Sequence, residues 1–160
     1  MSRLRFWLLT FSFDIYWGLA VGLRERIWLL LGGSALFAWL LCPRDIKLRV
    51  LLAALGGIAL DSLWLKLDLF SFSGSAGFPA WMLALWLMFA CWWWLTLSRF
   101  ALNRRWQVAI GALGGPFSYL VGERLGGLQW HQPPVVVLTA LAVGWALYLP
   151  FASSLLRRKE

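Results

Sequence analysis

The chain is poor in the residues that build metal and redox centres. It has one histidine, His131, and two cysteines, Cys42 and Cys91, far apart in the sequence. Zinc, haem and iron–sulfur sites need clusters of such ligands, so no metal and no cofactor is expected from this chain alone. It also lacks a G-x-x-x-x-G-K phosphate loop. A Ser-His-Asp arrangement would have to use His131, which falls on a loop where nothing in the sequence orients it. Charge is scarce as well. Asp, Glu, Lys and Arg make up 14% of 160 residues while 61% are hydrophobic, against about 25% and about 45–50% in soluble domains. With a mean hydropathy of +0.72, a water-soluble core cannot absorb this much apolar surface. The expectation is an all-α polytopic membrane protein, with residues 1–160 forming one transmembrane helical domain.

Acids are the scarcer charge, seven against fifteen basic residues, for a net charge of +8. In a soluble protein that excess would suggest nucleic acid. Here the basic residues sit in short clusters between apolar runs, without the contiguous basic face that nucleic acid requires. The N-terminus has a basic start and an apolar run, as a signal peptide does. Asp14 interrupts the run and no A-x-A site follows, so it reads as an uncleaved first helix.

Six spans are expected at about 5–23, 27–42, 50–67, 79–98, 107–122 and 135–156, close to the roughly 20 residues a bilayer needs. Residues 43–49 and 99–106 read as basic loops. Residues 68–78 (DLFSFSGSAGF) read as a polar, glycine-rich loop that still holds phenylalanines. Eleven basic residues, including Arg44, Lys47, Arg49, Arg158 and Lys159, fall on the side of the N-terminus, against Arg24, Arg26, Lys66 and Arg124 on the other. By the positive-inside rule both termini are cytoplasmic, and the expected location is the bacterial inner membrane. Cys42 and Cys91 then lie near the cytoplasmic end, where small apolar fillers are expected rather than a disulfide.

Gly18 and Gly22 form a G-x-x-x-G, a pattern that permits close helix approach. The tryptophans of helix 4, Trp92-Trp93-Trp94 above all, fit an interfacial belt. Gly114-Gly115-Pro116 predicts a kink in helix 5. Ala54-Leu55-Gly56-Gly57 recurs as Ala112-Leu113-Gly114-Gly115, a hint of an internal repeat. Helices 1, 3 and 5 hold most of the polar and glycine residues, so they are expected to form the inner bundle, with helices 2, 4 and 6 facing lipid.

Two acids stand inside apolar spans, Asp14 and Asp61. An ionisable group in hydrocarbon costs at least a few kcal/mol, so it faces a protein interior and commonly has a role. Proton relay, cation binding and acid–base chemistry are the functional readings. The plain alternative is a hydrogen bond across the bundle, to Tyr16, Ser62, Ser118 or Tyr119. Ser118 and Tyr119 follow the glycines of helix 5 and are candidate pocket residues. Glu123, Arg124 and His131, with Asp68 and Arg24 nearby, form either a headgroup-binding rim or ordinary interfacial anchors.

Residues 57–65 (GIALDSLWL), 79–90 (PAWMLALWLMFA) and 111–126 (GALGGPFSYLVGERLG) together resemble small bacterial integral membrane proteins grouped as DUF2878, a domain of unknown function. The resemblance covers most of the chain. It implies a lipid context, because such proteins are often encoded beside enzymes that modify membrane fatty acids. It also implies a histidine–serine pair near the end of helix 4. Residues 93–98 read WWLTLS, with no histidine.

Three functions remain open. The first is an accessory protein binding a lipid or amphipathic molecule between helices 1, 3 and 5, with Asp14, Asp61 and Tyr119 as polar groups. It predicts ligand retention without turnover. The second is a small proton-coupled transporter using Asp14 and Asp61, which would need to oligomerise or find a partner membrane subunit. It predicts pH-driven flux that Asp61→Asn abolishes. The third is a membrane-embedded lipid-modifying enzyme, which predicts an altered lipid profile in cells lacking the protein.

Overall fold

The structure is a computed structural model that describes residues 2–157. These form α1 (Arg3–Leu23), a 3-10 turn (Arg24–Ile27), α2 (Trp28–Leu41), α3 (Arg44–Lys66), β1 (Phe70–Phe72), α4 (Ala80–Arg99), α5 (Arg104–Arg124), β2 (Leu128–Trp130) and α6 (Pro134–Leu156). Arg158 and Lys159, counted above among the basic residues on the N-terminal side, lie outside the described residues.

The protein is all-helical, as its apolar runs require. Four segments are long and apolar enough to cross a membrane: Arg3–Leu41, Arg44–Lys66, Ala80–Arg99 and Pro134–Leu156. The first of these folds back on itself. Arg24 takes φ +51° and ends α1, and the Tyr16 hydroxyl donates to the Leu31 carbonyl at 2.9 Å, which fixes α1 and α2 side by side. The outer surface is apolar: Leu113, Leu147 and Val135 are each 70% or more exposed, a surface suited to lipid rather than water.

Several boundaries depart from the sequence reading. The expected loop 43–49 is helical from Arg44 onward. Pro43 sets the extended N-cap, Asp45 complements the helix dipole in the first turn, and the Trp39 indole donates to the Lys47 carbonyl at 3.0 Å. Helix α5 starts at Arg104 because Asn103 caps it, accepting from the Trp106 amide at 3.0 Å. Helix α4 is capped from a distance: Glu25 of the 3-10 turn accepts from the Ala80 amide at 3.1 Å.

The inner helix is α4, which corrects the expectation that odd-numbered helices form the core. Half of its apolar window is buried, against a third for α3 and α6 and 22% for the α1–α2 segment. It packs on α1, α2, α3 and α6. The cause is its tryptophans: Trp81, Trp86 and Trp93 are 1–2% exposed and belong to the core, not to a belt. Trp7, Trp28 and Trp106, near helix starts, are the exposed ones. The Gly18–Gly22 pattern brings no helix close, since a Cβ at either glycine would meet open space.

The suspected repeat is real and extends to whole elements. Adding 58 to a residue number carries α3–β1 onto α5–β2, and α4 corresponds to α6. The helix ends match bond for bond. The Leu69 amide donates to Trp64 and the Gly127 amide to Gly122; the Asp68 amide donates to Leu65 and the Gly126 amide to Glu123. Asp68 at φ +51° and Gly126 at φ +75° make the left-handed step that lets each chain leave its helix. The strands pair antiparallel, with Ser71 opposite Gln129. Ser71 and Gln129 are themselves 58 residues apart, so equivalent positions of the two units face each other across the ladder.

Candidate functional site

Asp61 sits where the two units meet. It lies on α3, one turn after Gly57, and is fully buried. A Cβ at Gly57 would fall inside the Trp86 ring, so this glycine makes the hole that lets Trp86 of α4 lie against α3. Gly115 does the same for Trp145 of α6, and the two indoles stack with centroids 5.3 Å apart and planes 19° from parallel. One turn after Gly115 comes Tyr119, the counterpart of Asp61. The equivalent residues bond each other: the Tyr119 hydroxyl donates to Asp61 Oδ1 at 2.5 Å, and the Trp86 indole donates to Oδ2 at 2.7 Å. Tyr148 closes the group, its ring edge-on to Trp86 and its hydroxyl donating to the Ala53 carbonyl at 2.9 Å.

Neither ion pair found among the described residues involves Asp61. The carboxyl group is held by donors alone, each such bond contributing about 0.5–1.5 kcal/mol. Of the partners considered from sequence, only Tyr119 reaches it. Tyr16 bonds Leu31, Ser62 donates to Ile58 of its own helix, and Ser118 to Gly114 of its own helix.

Beside this centre lies a cleft of about 260 Å³. Its walls are Phe13, Asp14 and Trp17 of α1, Trp86, Phe89 and Trp92 of α4, Gly114, Ser118 and Tyr119 of α5, and Trp145 of α6. The expected pocket between helices 1, 3 and 5 is therefore displaced: α3 supplies no wall, and Asp61 stands behind Trp86 and Tyr119. Helices α1 and α5 border the cleft without packing closely on each other. They are joined at one end, where Arg24 donates to the carbonyls of Val21 and Leu125. Asp14 is exposed on the α1 side. The structure does not bring the two acids together, since only Asp14 lines the cleft. Trp145 Nε1 is buried with no hydrogen-bond partner.

The remaining candidates are at the end of the bundle where β1 and β2 meet. Glu123 and Arg124 pair with each other at 3.5 Å, with the Arg124 side chain 79% exposed; such a surface pair contributes about 0–1 kcal/mol. His131 is oriented after all, by a geometry the sequence did not reveal. Its Nδ1 lies 2.5 Å from Asp68 Oδ1 and its Nε2 lies 3.0 Å from Ser71 Oγ. The β-ribbon brings these together by turning Phe70, Phe72 and Leu128 inward and Ser71 and Gln129 outward.

Sequence reasoning missed Trp86, Trp145 and Tyr148. The signal was the repeated A-L-G-G: in each copy the second glycine marks where a large ring must enter.

The family model described as a protein of unknown function, DUF2878, matches residues 6–151. No curated protein and no solved structure matches the chain. The family match spans nearly the whole sequence, so the chain belongs to that family.

Proposed function

We propose that this member of a family of unknown function is an inner-membrane protein with six spans and both termini cytoplasmic, and that it holds one lipid or other amphipathic molecule in the cleft between α1, α4, α5 and α6. The observation that carries this reading is the cleft itself. It is aromatic, it is bordered by two helices that do not pack closely, and its floor bears the Tyr119 and Trp86 rings. At about 260 Å³ it is just smaller than typical ligand pockets, roughly 300–1,000 Å³, so it suits part of a chain or ring rather than a whole phospholipid. Asp61 fixes the floor from behind. Asp14 offers a carboxylate at the rim to a hydroxyl or amine of the ligand. A role accessory to membrane lipid modification accords with this reading.

The test is native mass spectrometry of the protein released from mild detergent, wild type beside Gly114→Phe. Gly114 lines the cleft and a Cβ there would meet open space, so phenylalanine can be introduced at the cleft wall without a clash at its Cβ. A lipid-sized adduct on the wild type that Gly114→Phe loses is the expected outcome. A wild type that carries no adduct, or a variant that retains it, overturns the proposal.

One observation favours proton-coupled transport as a second reading. Asp61 and Tyr119 are equivalent residues meeting at the interface of two like units, the place where repeat-built transporters put their sites. Proteoliposome uptake driven by a pH gradient and abolished in folded Asp61→Asn would support it. Absence of flux in the wild type would end it.

A further inference from the structure

We infer that Ser71, His131 and Asp68 form a nucleophilic acyl-transfer centre on the membrane-boundary face of the β-ribbon, acting on a carboxylic ester presented at that boundary. The inference rests on connectivity rather than on the presence of three residue types. Ionised Asp68 only accepts hydrogen bonds, so at 2.5 Å it takes the Nδ1 proton of His131. That leaves Nε2 of the neutral ring as the acceptor, and Ser71 Oγ lies 3.0 Å from it. Asp68 thereby fixes the tautomer in which His131 can take the serine proton, which is the division of labour of a nucleophile, base and orienting acid.

The fold holds the three in place. Ser71 is on β1 and His131 directly follows β2, its amide donating to the Leu69 carbonyl at 3.0 Å. Asp68 occupies the left-handed step after α3, and the Gln132 side chain donates to its carbonyl at 3.3 Å. The group is accessible, with the His131 side chain 33% exposed and that of Asp68 72% exposed. Gln129 stands across the ladder from Ser71 on the same outward face, where directly opposed Cβ atoms are about 4.5–5.5 Å apart. Its carboxamide is the donor that the proposal assigns to a developing oxyanion. Leu67, exposed and directly before Asp68 in the chain, suits an ester at the edge of an apolar layer.

In the reaction, Ser71 Oγ bonds to the carbonyl carbon as its proton passes to His131 Nε2. The ester C–O bond breaks, and His131 returns the proton to the leaving alkoxide. Water, deprotonated by the same nitrogen, then releases the acid and restores Ser71. Ser71 and His131 touch the reacting atoms; Asp68 is a positioning residue.

The experiment is labelling of the full chain in nanodiscs with a fluorophosphonate, followed by intact and peptide mass. One adduct on Ser71 is expected, absent in Ser71→Ala and retained in Ser73→Ala. His131→Ala should slow labelling by about 100-fold or more. Asp68→Asn should slow it by at least about tenfold and shift the midpoint of its pH–rate profile downward, with Asp68→Glu recovering part of both. Circular dichroism of each variant separates unfolding from loss of chemistry. A folded wild type with no Ser71 adduct, or labelling within twofold of wild type in folded His131→Ala, overturns the centre. An unmoved pH profile in Asp68→Asn overturns the positioning role.

Discussion

The perturbation that probes the buried centre most sharply is the graded removal of the Asp61 carboxylate. In Asp61→Ala two buried donors, the Tyr119 hydroxyl and the Trp86 indole, lose their acceptor at once. Each unsatisfied donor costs about 1–3 kcal/mol, giving about 2–6 kcal/mol before any cavity cost. For a chain of this size 1 kcal/mol moves Tm by roughly 2–4 °C, so the melting point should fall by roughly 4–24 °C. Asp61→Asn should be milder, by a definite route. The indole can only donate, so the amide oxygen must face Trp86 and the amide nitrogen must face Tyr119, whose hydroxyl can turn to accept. Both bonds are kept with changed donors and acceptors, at a cost of about 1 kcal/mol. A double-mutant cycle of Asp61→Ala with Tyr119→Phe, each of which removes the bond outright, should show coupling above about 1 kcal/mol, beyond the roughly 0.6 kcal/mol average for hydrogen bonds between membrane helices. The assay is reversible unfolding in mixed micelles, followed by tryptophan fluorescence. Equal stabilities for Asp61→Ala and Asp61→Asn, or coupling below about 0.5 kcal/mol, would refute the reasoning.

Other sites should respond in distinct ways. Gly57→Ala drives a methyl group into the buried Trp86 ring and should destabilise by about 1–3 kcal/mol, whereas Gly33→Ala, with open space around it, should be neutral or stabilise by up to about 1 kcal/mol; thermal melts of the pair decide. Glu25→Ala removes the acceptor for the Ala80 amide at the start of α4 and should cost about 0.5–2 kcal/mol in the same melts. Cys42 and Cys91 are buried thiols with sulfurs 3.9 Å apart, so maleimide should modify neither in the folded protein and both in denaturing detergent, as intact mass will show.

The helices were legible because apolar length is written directly in the sequence; α1, α2, α4 and α6 begin and end within two residues of expectation. The start of α3 was not, because a proline followed by charges resembles a loop until one sees Pro43 serve as the cap for the charges behind it. Asp61 was legible as an isolated acid in an apolar run, and Tyr119 as one of four candidate partners. Trp86 was not, because an indole in a membrane helix has two good homes, the interface and the core, and only the hole left by Gly57 decides between them. The order of burial was misread for the same reason. Polar residues and glycines mark odd helices, yet the volume that fills the centre comes from the tryptophans of α4. The Ser71–His131–Asp68 contact depended on a strand pairing of three residues between loops far apart in sequence, and no local pattern announces so short a ladder.

The account stands or falls on occupancy of the cleft. The direct measurement is photo-crosslinking in membranes with a fatty acid carrying a diazirine along its chain, with adducts mapped by peptide mass. Saturable labelling concentrated on Phe13, Trp17, Gly114 and Ser118, and lost in Gly114→Phe, is the predicted result. Labelling spread evenly over outward residues such as Leu29, Phe37 and Val135, unaffected by Gly114→Phe, would contradict it.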